Sequence, residues 1–321
     1  MLTLLARSMF EATRIKPIGV DAAHTCAPAP LHHPLPRKER TIMPPDQHAS
    51  RRTLFRQMHK GPQALVMPNA WDAGTARILA GLGFSALATT SAGLAFSIGL
   101  RDSSGSLSRE QVLDNARSIV EATELPVSAD LENGFGASPD ACAQTVKEAG
   151  AIGLCGGAIE DATGDPDTPI YGLDHAVDRI AAAVAAKTSP DFLVTARAEN
   201  FLYGRPDLDD TIRRLQAFEA VGADVVYAPG LPDLESIRRV CQSVSVPVNV
   251  VVGLTAGTAS VDDLSAAGVR RISTGGSLAR AALGEMLRAA TELRAEGTYG
   301  YAERAISDAD AARHMRIKPA S

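Results

Sequence analysis

The sequence predicts an α/β fold, a (β/α)8 TIM barrel with additional C-terminal helices, and three observations carry that expectation. Short apolar runs alternate strictly with helical patterns from about residue 64 onward, which implies parallel strands joined by right-handed crossovers. Eight such pairs can be counted, and 321 residues are enough for a barrel of about 250. No Gly-x-Gly-x-x-Gly opens the first helix and no P-loop lysine motif occurs, so the competing doubly wound sheet lacks its usual signatures.

The strand candidates, in order, are ALVMP at 64–68, SALAT at 85–89, LPVSA at 125–129, AIGLCGGAI at 151–159, DFLVTA at 191–196, ADVVYA at 223–228, VPVNVVV at 246–252 and VRRIST at 269–274. Helical patterns fill the intervals at Asp72 to Leu82, Arg109 to Thr123, Pro139 to Ala149, Asp174 to Lys187, Asp207 to Val221 and Leu234 to Val244. Glycine after a small or branched residue, at Gly150, Gly222 and Gly268, marks expected helix ends, where a left-handed residue is needed. An Ala/Leu-rich helix from Gly276 to Arg294 follows the last strand, and then a further segment, Tyr299 to Arg316.

Residues 1–50 differ from the rest, with scattered Pro and His and no sustained period. They read as a disordered extension, or as an upstream start assignment with Met43 as the first residue. The expected organisation is therefore 1–50 extension, 51–298 catalytic barrel and 299–321 C-terminal helical segment.

A formal net charge of -5 gives no electrostatic footprint for nucleic acid or an anionic membrane. No apolar run approaches the roughly 20 residues of a membrane span. The four cysteines, Cys26, Cys142, Cys155 and Cys241, show neither metal-ligand spacing nor a disulfide framework, so a cytoplasmic protein with reduced thiols is expected. Small molecules are the expected partners.

Catalytic groups of a barrel stand at the carboxyl ends of its strands. Collecting polar residues there gives Asn69, Trp71 and Asp72; Thr90, Ser91 and Gly93; Asp130 and Glu132; Glu160 and Asp161; Arg197, Glu199 and Asn200; Tyr227; Asn249; and Thr274, Gly275 and Gly276. Asp130 and Glu132, two apart on a strand, can present two carboxylates to one side, a donor set suited to a hard divalent cation. The set as a whole is acids around one cation, Arg197, as a metal-bound small carboxylate requires. Tyr227 is a possible proton donor or an ordinary packed strand-end tyrosine. Asn249 either donates to a substrate oxygen or satisfies buried backbone. Cys155, among small apolar neighbours, reads as structural.

The motifs Ser91-Ala92-Gly93, Gly99-Leu100-Arg101-Asp102, Asp130-Leu131-Glu132-Asn133-Gly134-Phe135-Gly136, Ile159-Glu160-Asp161 and Ala196-Arg197-Ala198-Glu199 together resemble the isocitrate lyase/phosphoenolpyruvate mutase superfamily over roughly residues 60–295. The resemblance implies a Mg²⁺-dependent enzyme, with Mn²⁺ as an alternative ion, for a 2-oxo or 2-hydroxy carboxylate or a phosphoenolpyruvate-like compound. Asp130 matches the acid nearest the metal, Glu132 and Glu160 match acids that act through water, and Asp102 matches an acid on a loop beside them. Ser91, Ala92 and Gly93 match the substrate-carboxylate motif, and Arg197 the arginine that grips substrate oxygens. Family members commonly form tetramers, so a homo-oligomer, dimer or tetramer, is implied.

Two departures narrow the reaction. The usual Asp-x-Asp pair is Asp130-Leu131-Glu132 here, and the gate loop that carries the lyase cysteine is replaced by ATGDPDTPIYGLD at 162–174, with no Cys, His or Lys. These features point to a carbon–carbon lyase or decarboxylase for a small (di)carboxylate. A phosphonopyruvate-type P–C bond enzyme and a non-catalytic metabolite-binding barrel are the alternatives.

Overall fold

Pro68 splits the first strand in two and thereby closes the barrel. Having no N–H, it cannot donate to a ladder. β1 (Leu65–Met67) pairs in parallel with the last strand, whereas β2 (Asn69–Ala70), just past the proline, pairs with the next. The computed structural model describes residues 45–102, 105–254, 257 and 259–316.

After α2 (Ala73–Gly81) come β3 (Leu87–Thr89), the short α3 (Ser91–Ser97) and α4 (Arg109–Ala122). Then β4 (Val127–Asp130), α5 (Pro139–Ala151), β5 (Gly156–Glu160), α6 (Leu173–Ala185), β6 (Leu193–Arg197) and α7 (Leu208–Ala220) alternate. β7 (Val225–Tyr227), α8 (Leu234–Ser243), β8 (Val248–Val251), α9 (Val261–Ala266), β9 (Arg271–Ser273) and α10 (Ser277–Glu296) complete the circuit. Every strand pair is parallel and the order is β1-β9-β8-β7-β6-β5-β4-β3-β2, a ring whose two ends are joined through Pro68. The protein is a (β/α)8 barrel with C-terminal helices, as its alternating pattern implies.

Local chemistry sets the helix starts. Asp72 and Ser108 form capping boxes with Thr75 and Gln111, and Ser138, Asp207 and Asp233 each accept a first-turn N–H. At the end of α5 the expectation needs correction: Gly150 lies within the helix, and Gly153 (φ 93°) is the left-handed residue. The predicted C-terminal helical segment comprises a 3-10 turn, Gly300–Arg304, and α11 (Asp308–His314), whose end docks on α2 through Arg77 Nη1 to Met315 O at 2.9 Å. Residues 317–321 lie outside the described residues, as does the predicted extension up to residue 44, including Met43.

From Pro45 the chain is helical rather than an extension. α1 (Pro45–Met58) has only Phe55 and Met58 as large apolar groups facing the barrel, so no period announces it. Phe55, fully buried, meets Met67, Ala86, Ala88, Cys155, Leu193 and Val225 as the floor of the barrel. Arg52 donates to Leu154 O (3.0 Å) and Gly150 O (2.5 Å), satisfying carbonyls at the end of α5. Phe55→Ala is expected to cost about 3–5 kcal/mol of stability, the usual range for a buried phenylalanine. Urea unfolding would read it, and an unchanged midpoint would show that α1 is not integral. Among the described residues no helix is long and apolar enough to cross a membrane.

Candidate active site

One cavity of about 430 Å³ opens at the carboxyl ends of the strands, and Ser91, Ala92, Asp102, Asp130, Glu132, Glu160, Arg197 and Tyr227 all line it. Residues spread over more than 130 positions thus meet at one rim. β5, β6 and β7 place Glu160, Arg197 and Tyr227 side by side, since each is the register partner of the next. Arg197 is the hub. Its Nη1 lies 2.9 Å from Glu160 Oε1 and 3.3 Å from Asp130 Oδ1, its Nε donates to Glu199 Oε1 at 2.8 Å, and its guanidinium stacks 4.8 Å from the centre of the Tyr227 ring.

Asp130 ends β4 and accepts from Ser91 Oγ (2.9 Å) and Ser91 N (3.3 Å) at the start of α3. Glu132 also faces the cavity, but not by strand alternation. β4 stops at Asp130, and Glu132 takes a left-handed φ of 46°, so a strained turn rather than a pleat aims its carboxylate. Gly134 (φ 80°) continues that turn; a Cβ there would stand 2.7 Å from Cys142 Sγ.

Of the residues expected to bind substrate, two stand elsewhere. Gly93 does not line the cavity: its N–H donates to Thr90 Oγ1 (3.3 Å), and an added Cβ would meet Thr90 Cγ2 and Trp71 Cβ at 2.7 Å, so packing demands the glycine. Asn249 lies below the rim, nearly fully buried, with Oδ1 accepting from Arg271 Nε (2.9 Å) and Nδ2 donating to Ser273 Oγ (3.0 Å). The tilt of the strands explains this, because the register row through Arg197 and Tyr227 descends into the barrel at β8.

The cavity also has walls that sequence reading did not anticipate: Phe96, Leu202, Tyr203, Leu254 and Arg280. Arg280, one turn into α10 from Gly276, could have been found from its i, i+4 spacing; it donates to Leu254 O at 3.1 Å. Behind the rim, Asp161 accepts from Glu199 N (2.8 Å) and pairs with Arg214 (3.0 Å), which in turn binds Asp210 (2.9 Å). This network holds the backbone that presents Arg197 and Glu199.

The loop at 162–172 does not reach the cavity. It closes on itself through an Ala162–Ile170 bridge and Thr163 N to Pro169 O (2.9 Å), while Tyr171 stacks on Arg179 at 4.3 Å. His175 is tied to Ala137 O at 2.8 Å, away from the rim. Cys155 sits in the barrel floor, where burial raises its thiol to about 11. Its role is packing.

The electrostatics reflect too many acids for one guanidinium. Burial, then Asp130 and Asp102, push Glu132 up to about 8. Burial also raises Glu160 well above the carboxylate range against the pull of Arg197, and raises Asp102, although that side chain reaches solvent. Arg197 is held firmly protonated by Glu160 and Glu199, which outweigh its burial. The Tyr227 phenol is raised by burial, so it keeps its proton.

An all-oxygen donor set with uncompensated negative charge fits a hard divalent cation. Among the described residues no three His, Cys, Asp or Glu side chains converge tightly enough to hold an ion by themselves. Mg²⁺ takes one or two carboxylates and fills its remaining positions with water and substrate oxygens.

The family model for phosphoenolpyruvate phosphomutase matches residues 55–294. The 2-methylisocitrate lyase of Shewanella oneidensis is 33% identical over 201 residues, 60% of this chain and 68% of the relative. A crystal structure of a Burkholderia cenocepacia J2315 protein, provisionally termed a lyase/mutase, is 53% identical with a TM-score of 0.81, covering 84% of this chain and 96% of that one. A 2,3-dimethylmalate lyase of the PEP mutase/isocitrate lyase superfamily is 26% identical with a TM-score of 0.74, over 83% of this chain and 95% of the other. On the match to most of its barrel and on the acids and arginine at its rim, the chain belongs to the isocitrate lyase/phosphoenolpyruvate mutase superfamily.

Proposed function

We propose that the protein is a Mg²⁺-dependent carbon–carbon lyase or decarboxylase acting on a small 2-oxo or 2-hydroxy (di)carboxylate. The observation that carries this is the convergence of Asp130, Glu132, Glu160 and Arg197 on one cavity. Asp130, with Glu132 and Glu160 through water, would hold the ion, which supplies electrophilic stabilisation of negative charge as an enolate develops. The chain's own groups do the rest. Arg197, pinned by Glu160 and Glu199 over the Tyr227 ring, orients substrate oxygens through a planar fork. Ser91 and Ala92 at the start of α3 meet its carboxylate. Tyr227 keeps its proton in this setting and is the group placed to deliver it to the enolate carbon. Glu160 holds Arg197 Nη1 in place through its 2.9 Å ion pair.

Incubation with Mg²⁺ and oxaloacetate, substituted malates or phosphonopyruvate tests the reading, followed by proton and phosphorus NMR. Pyruvate or a released carbonyl compound from the carbon acids is expected. Change in the phosphorus signal alone would replace this reading with P–C bond chemistry, which the family description favours. No turnover combined with Mg²⁺-independent ligand binding would leave a non-catalytic barrel.

Arg280 bears on the substrate class. Arg197 is shared among three acids, whereas Arg280 at the mouth makes no ion pair among the described residues. It is available for a second carboxylate. Arg280→Gln is expected to raise KM for a dicarboxylate about 2–5-fold with kcat nearly unchanged, as loss of one exposed charge contact implies; an equal effect on a monocarboxylate would contradict that role. A cytoplasmic homo-oligomer, dimer or tetramer, completes the proposal. α10 leaves Met286, Leu287 and Leu293 exposed for such packing, and sedimentation showing a monomer would remove it.

A further inference from the structure

Arg271 lies inside the barrel, on β9, 4% exposed and far from the protein surface that a guanidinium normally seeks. Its Nε donates to Asn249 Oδ1 at 2.9 Å, but its Nη1 is buried without a partner, and among the described residues it forms no ion pair. An arginine cannot shed its proton to escape burial, so a charge so placed needs a counter-charge. Asp130 borders the same interior space but is committed to Ser91 and Arg197. Arg197, the next charged group, is of the same sign and opposes Arg271.

The space itself is a cavity of about 60 Å³, bordered by Ser128, Asn249, Arg271 and Ser273 and by the undersides of Arg197 and Tyr227. On the same measure this has room for about four waters. Ser273 Oγ accepts from Asn249 Nδ2 at 3.0 Å, which leaves the Ser273 hydroxyl proton free to point into the cavity. Arg271 Nη1 and the Ser273 hydroxyl proton are thus two donors without an acceptor beside this space.

We infer that the barrel interior beneath the candidate active site binds a monovalent anion of halide size, held by the Arg271 guanidinium and the Ser273 hydroxyl. The site lies directly below the rim that takes substrate and shares Asp130, Arg197 and Tyr227 with it as a common wall. Asn249, predicted to touch substrate, is here the hinge that fixes Arg271 and Ser273 toward the anion. Neutralising Arg271 stabilises the fold and removes a positive charge from below Tyr227.

Crystals of the full chain grown in sodium bromide test this directly. The expected result is an anomalous peak within hydrogen-bonding distance of the Arg271 guanidinium and Ser273 Oγ. Ordered water there with no anomalous signal would overturn it. The second measurement compares thermal midpoints in chloride and in gluconate, which is too large for the cavity, at equal ionic strength. A midpoint higher by several degrees in chloride is expected, and this difference should vanish in Arg271→Met. Equal wild-type midpoints, even with a bromide peak, would mean an adventitious ion only and would overturn the proposal. Both wild-type measurements stand if the variant fails to fold.

Discussion

Asp130→Ala is expected to abolish turnover, lowering kcat/KM by ~10³-fold or more, because several kcal/mol of charge stabilisation in the transition state depends on the ion it would hold. The fold should survive. Asp130 sits at the rim, and its removal relieves the like-charge pressure it places on Glu132 and Asp102. The expected pattern is therefore a folded protein with its circular dichroism and thermal midpoint intact and no product. Asp130→Asn should be nearly as damaging, since a carboxamide still accepts from Ser91 but brings no charge to a cation. An Asp130→Ala protein that turned over substrate in EDTA-treated buffer would overturn the metal assignment.

Arg197→Met should do two things at once. It removes the group that orients the substrate, and it leaves Glu160 and Glu199 buried beside Asp130 with no cation. Breaking a buried pair from one side costs about 3–5 kcal/mol, so loss of activity should come with a clear fall in stability. Arg197→Lys separates the two effects. A lysine restores one charge but not the planar fork that serves Glu199 through Nε and Glu160 through Nη1, so the fold should largely recover while activity stays down ~10²-fold. If Lys restored activity in full, Arg197 would be acting as a bare charge rather than as an orienting fork.

Much of this was legible in the sequence because barrels place their chemistry by rule. Parallel alternation fixed the fold class, and strand ends then singled out Asp130, Glu160, Arg197 and Tyr227, which do meet at one rim. What escaped was non-local or aperiodic. α1 carries few apolar side chains, so nothing in its pattern reveals that Phe55 floors the barrel. The Asp161–Arg214 pair joins residues 53 apart with no shared motif. Strand alternation put Glu132 in the right place for the wrong reason, because a left-handed turn, not the pleat, aims it. Asn249 sank below the rim because strand tilt is set by closure of the whole ring and leaves no mark on any one segment.

The measurement that bears most directly on the site is calorimetric titration of oxalate, a planar mimic of an enolate, into the protein with and without Mg²⁺. Oxalate is expected to bind only when Mg²⁺ is present, and to lose that binding in Asp130→Ala. Equally tight binding in the presence of EDTA would contradict a cation-centred site and leave the acids at this rim without the role given to them.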